Sequence, residues 1–94
     1  MKRKIVFSEV ASDKLESTLI YLENNFSEKI IWKFLKNLDS CFKQIEKFPN
    51  SFKYSDVYKA NKVIVTKHTS FYYRFTKDEI IILYFVDNKM NNIF

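Results

Sequence analysis

Apolar positions recur with a helical period through the first half of the chain and with a strand period through the second. Residues 4–7, with the apolar run Ile5-Val6-Phe7, read as a short strand, closed by Ser8, a good helix N-cap. Glu9 and Asp13 then lie near the positive end of a helix. Ala11, Leu15, Leu19, Leu22 and Phe26 recur at spacings of four, four, three and four, a single helical stripe with charges opposite. Asn24-Asn25 interrupts it, and Ser27 with Glu28 opens a second helix. There Ile31, Phe34, Leu35, Leu38, Cys41, Phe42, Ile45 and Phe48 keep helical spacing. Lys43 and Lys47 suit the C-terminal end, and Pro49 stops the helix. Two amphipathic helices with so short a connection predict an antiparallel hairpin.

Beyond Pro49 the period changes. Residues 50–61 are polar and dotted with aromatics, which reads as a loop. Residues 62–66 read as a strand, and residues 70–76 as another, with Phe71, Tyr73 and Phe75 on one face and Tyr72 and Arg74 on the other. Lys77-Asp78 makes a tight turn into a strand over 79–86, which is apolar on both faces and so must be interior or covered. A polar tail follows, ending in Ile93-Phe94, which have no evident core to join. The expected fold class is α+β. A strand and an antiparallel helical hairpin precede a three-stranded antiparallel meander, with the helices packed on one face of the sheet. Leu15, Leu19, Leu22, Phe34, Leu38, Phe42 and Ile45 are the expected core.

Composition narrows the picture. Ninety-four residues make one domain, spanning 1–94, and 47% hydrophobic with 18% aromatic residues argue for a packed core. Glycine is absent, so left-handed turn positions fall to Asn, Asp or Lys. It also excludes the glycine-rich loops that cradle phosphates. The lone Cys41, at a periodic apolar position, reads as a small core residue and rules out an internal disulfide. One histidine and one cysteine predict neither a metal site nor a cofactor site. No apolar run suits a signal peptide or a bilayer span, so a cytoplasmic protein with no membrane partner is expected.

The net charge is +5, and residues 53–77 hold Lys53, Lys59, Lys62, Lys67, Arg74 and Lys77 against Asp56 alone. Such a surface suits a nucleic acid or an acidic protein. Lys67, His68, Arg74 and Lys89 are the catalytic candidates, with Tyr72, Tyr73 and Tyr84 nearby in strand positions. Cations stabilise phosphorane charge, while His68 or a lysine of lowered pKa could act as base, although His68 also reads as an ordinary turn residue. For binding a target, Lys62, Lys67, Tyr72, Arg74 and Lys89 are the candidates, because aromatic rings stack on unpaired bases. The plain alternative is a set of solvated edge charges that deter aggregation. Whether the chain is an enzyme stays open on these residues.

Four strings carry a family resemblance. They are Phe7-Ser8-Glu9-Val10-Ala11 at the strand end and helix start, Ile45-Glu46-Lys47-Phe48-Pro49-Asn50-Ser51 at the close of the second helix, Val65-Thr66-Lys67-His68-Thr69-Ser70-Phe71-Tyr72-Tyr73-Arg74 in the hairpin, and Phe85-Val86-Asp87-Asn88-Lys89 at the end. With their order and spacing, the chain resembles the RelE/ParE superfamily of bacterial type II toxins. That resemblance implies a toxin held in a hetero-oligomer by a cognate antitoxin. It implies either poisoning of DNA gyrase, as in ParE-like members, or ribosome-dependent mRNA cleavage, as in RelE-like ones. The RNase members carry a Tyr, His or basic cluster past the last strand, where this chain has only Lys89, and Ser70 stands where many relatives have an arginine. These departures favour the gyrase side. The mRNA endoribonuclease and a non-catalytic nucleic-acid-binding module are the alternatives.

Overall fold

The computed structural model describes residues 3–88. Its elements follow in the order β1 (Lys4–Phe7), α1 (Glu9–Asn25), α2 (Glu28–Lys47), β2 (Tyr54–Ser55), β3 (Ala60–Ile64), β4 (Thr69–Phe75) and β5 (Glu79–Asp87). Among the described residues no helix is long and apolar enough to cross a membrane.

Ser8 does two things at the start of α1. Its Oγ accepts from the Ala11 amide at 2.9 Å, satisfying one of the orphan donors of the first turn, and donates to the Leu83 carbonyl at 2.7 Å. The helix is thereby capped and tied to β5 with one side chain. Ala11 is fully buried at this junction, while Leu15, Leu19 and Leu22 are half-buried against the core. In α2 the stripe is deeper. Phe34, Leu38 and Ile45 are buried, with Leu35, Cys41 and Phe42 packed against them. Burial pushes the Cys41 thiol above its usual pKa, away from the thiolate form. At the end of α2 the Phe48 amide donates to the Gln44 carbonyl at 2.8 Å, and Pro49 cannot continue the ladder.

All five strands form one sheet in the order β1-β5-β4-β3-β2. β1 pairs parallel with β5, from Lys4 opposite Glu79 to Phe7 opposite Ile82, and the remaining pairs are antiparallel. This corrects the expected topology in two respects. The sheet is mixed rather than antiparallel, because the first strand returns beside the last. Part of the 50–61 loop also pairs as β2, with Tyr54 opposite Asn61 and Ser55 opposite Ala60. A two-residue strand is too short to show a period, and no local pattern marks a pairing between the two ends of a chain.

β5 is an interior strand, flanked by β1 and β4. Its apolar residues on both faces have a second cause besides this position. Tyr72 pairs with Tyr84 but Tyr73 pairs with Ile82, so Leu83 is the extra residue of a bulge. The bulge turns Ile82 and Ile80 to the side of Phe85, and all three are buried. On β4 the same side carries Phe71 and Tyr73, both without solvent exposure. Phe71 lies 5.5 Å from both Phe42 and Phe85, ring centre to ring centre, which joins α2 to the sheet. The Tyr73 hydroxyl donates to the Pro49 carbonyl, and burial pushes its pKa up to about 12.

Candidate functional site

The other face of the sheet is not covered by the helices. Alternation along β4 turns Tyr72 and Arg74 there, and their neighbours Lys62, Tyr84 and Ile81 follow from the register. Tyr72 is nevertheless only 7% exposed. Its cover is Tyr58, from the turn between β2 and β3, which stacks on it with ring centres 4.2 Å apart and planes 30° apart. Tyr84 closes the cluster at 6.1 Å from Tyr58 and 6.5 Å from Tyr72. The Lys62 ammonium sits 5.9 Å from the centre of the Tyr72 ring, in cation–π range. Burial, and then the adjacent Tyr58 phenol, raise the Tyr72 pKa.

The turn bearing Tyr58 is held from two sides. Lys59 has φ 55°, a left-handed conformation that falls to lysine in a chain without glycine. Its carbonyl accepts from Arg74 Nε at 2.8 Å, and the Tyr58 amide donates to Ser55 Oγ at 3.2 Å. Arg74 is thus a brace for the turn as well as an exposed charge.

Lys67 and His68 lie elsewhere. They occupy the β3–β4 turn, where the Thr66 hydroxyl accepts the amides of His68 at 3.1 Å and Thr69 at 3.2 Å. Asn88 latches this turn: its amide donates to the His68 carbonyl at 2.7 Å, its Nδ2 to the Thr66 carbonyl at 3.3 Å, and its Oδ1 accepts from Ser70 Oγ at 2.9 Å. Ser70 is fully buried, a role an arginine could not fill without losing its solvation. The turn forms one rim of a groove of about 800 Å³ between the helices, with Tyr21, Leu22, Phe26, Ile30 and Phe34 as its apolar lining. Lys14 and Lys33 complete its basic rim, and Lys14 pairs with Asp87 at 3.3 Å.

The structure therefore divides the candidates. Lys62, Tyr72 and Arg74 share the open face, while Lys67 and His68 belong to the groove. Lys89 lies outside the described residues. From His68, just before β4, to Arg74 within it is six residues, roughly 20 Å at the rise of a strand. Tyr73, grouped with the aromatic candidates by sequence, is a core residue. Tyr58 was missed because it sits in a segment read as loop; its signal was the series of aromatics Phe52, Tyr54 and Tyr58 ahead of a basic strand. Among the described residues no three His, Cys, Asp or Glu side chains come together as a metal-binding group. No protein-family model matches the chain, and no curated protein matches it.

Proposed function

We propose that the chain is the toxin of a bacterial type II toxin–antitoxin pair, acting by binding to a target of the DNA gyrase kind rather than by cleaving RNA. The single observation that supports binding over cleavage is the division of the charged candidates. An RNase site needs a base, an acid and cations around one phosphate. Here Arg74 of the open face stands six residues, roughly 20 Å, along the strand from His68 of the β3–β4 turn, and Lys62, paired with Tyr72, stands four residues, roughly 13 Å, from it. What the open face offers is a rigid array of cations and rings, suited to holding a partner. The partner that neutralises it is an acidic antitoxin encoded beside it, matched to the +5 charge.

One observation favours the mRNA endoribonuclease as a second reading. Lys14, Lys33, Lys67 and His68 surround the 800 Å³ groove, and a histidine among lysines is a workable acid–base set. Inducing the gene in bacteria with and without its neighbour distinguishes the two. The expected result is growth arrest with disturbed plasmid supercoiling, intact mRNA, and rescue by the neighbouring gene. Cleaved mRNA with normal supercoiling would replace this reading by the second, and unimpaired growth would overturn both.

A further inference from the structure

The ring cluster on the open face has a shape that attraction of a protein partner does not require. Tyr72 is its floor, Tyr58 lies flat upon it, and Tyr84 stands beside both. Tyr58 and Tyr84 remain 44% and 39% exposed, so the stack ends in two accessible rings. Lysines frame it: Lys59 follows Tyr58 directly, Lys62 sits over the Tyr72 ring, and the Lys62 amide donates to the Lys53 carbonyl at 2.8 Å, which places Lys53 alongside. Across residues 53–77 one acid, Asp56, opposes six cations.

We propose that this face binds unpaired DNA, with bases stacking on the free sides of Tyr58 and Tyr84 and phosphates held by Lys53, Lys59 and Lys62. Every base has a π-face, so two tyrosines at the end of a stack take unpaired bases without regard to sequence, and lysines supply point charges that follow the backbone. Duplex DNA fits poorly, because its bases are stacked away inside and, among the described residues, neither helix lies on this face to enter a groove. The stack is organised in advance. Arg74 and Ser55 fix the turn that carries Tyr58, so little ordering remains to be done on binding. The choice of DNA over RNA rests on the gyrase reading above; stacking and charge stand independently of it.

The test is fluorescence anisotropy on the full-length chain made by cell-free synthesis, with labelled oligothymidine of about twelve nucleotides. Binding is expected in the micromolar range at low salt and at least ten-fold tighter than to a duplex of the same length. With three lysines on phosphates, the logarithm of Kd should rise with that of the salt concentration with a slope of about 2. Tyr58→Ala should weaken binding about ten-fold and Tyr58→Trp should restore it, because tryptophan keeps the stacking surface. Lys33→Ala, on the groove, should leave it unchanged. Absence of binding, preference for duplex, tighter binding of oligouridine, or equal affinity of the Tyr58→Ala and Tyr58→Trp proteins would each overturn the proposal. Absence of oligonucleotide binding in a chain that still arrests growth and disturbs supercoiling would sink this inference alone. Binding without arrest would sink the toxin reading and leave the stack standing.

Discussion

On the helix side of β4, Phe71 and Tyr73 have no solvent exposure and are enclosed by Phe42, Phe52 and Phe85. One residue along on the opposite side, Tyr72 is shielded by a single turn, and Arg74 reaches out to brace that turn. Both sides use aromatic rings, but in different company. The inner rings belong to one core cluster with aliphatic side chains of both helices, whereas Tyr72 on the outer side meets Lys62, a pairing useful for holding a charged partner. Aromatic content alone therefore does not mark a core position in this chain. What separates the two faces is whether helices or cations stand opposite.

The contrast is broken most severely at Phe71. Phe71→Ala should cost about 3–5 kcal/mol in urea unfolding through the cavity it leaves, and Phe42→Ala, only half-buried, should fall at or below the lower end of that range. Next comes Tyr73→Phe, which leaves the Pro49 carbonyl without its donor at a cost of about 1–2 kcal/mol. The same variant carries a pH signature. With the folded pKa raised from 10 to about 12, the unfolded chain loses the phenol proton first as pH rises. Tyr73 thus holds its full stabilising effect below pH 10 and loses it as pH climbs from about 10 towards 12. Across that window the unfolding midpoint should fall with pH in the parent and fall less in Tyr73→Phe. Asn88→Ala should cost about 1 kcal/mol and loosen the β3–β4 turn, read as faster amide exchange at Ser70. Smallest is Tyr84→Ala on the open face, where a change within about 0.5 kcal/mol is expected. A loss there comparable to Phe71→Ala would erase the distinction between the faces.

Much of this architecture could be read from the chain. Ser8 and Pro49 bound the helices because a hydroxyl cap and a missing amide act locally, and the alternation of Phe71, Tyr72 and Tyr73 shows directly which side faces the helices. The parallel pairing of β1 with β5 could not be read, since it joins the chain's two ends. The bulge at Leu83 was equally hidden: a run of Ile80, Ile81, Ile82 and Leu83 looks the same with or without a slip in alternation. At the site, charge clustering pointed to Lys62 and Arg74 together. It could not separate them from Lys67 and His68, because closeness in sequence says nothing about which end of a strand a side chain leaves. Arg74's bond to the Lys59 carbonyl depends on a turn that lysine's left-handed backbone creates, a feature without a sequence signature.

That the open face is the working surface is tested most directly by growth arrest in two paired charge reversals, Lys62→Glu with Arg74→Glu on the open face and Lys33→Glu with Lys67→Glu on the groove, each first shown by circular dichroism to be folded. The first pair should restore colony formation on induction, while the second should arrest growth as the parent does. Arrest that survives the open-face pair and disappears with the groove pair would contradict this and move the activity to the basic rim around His68.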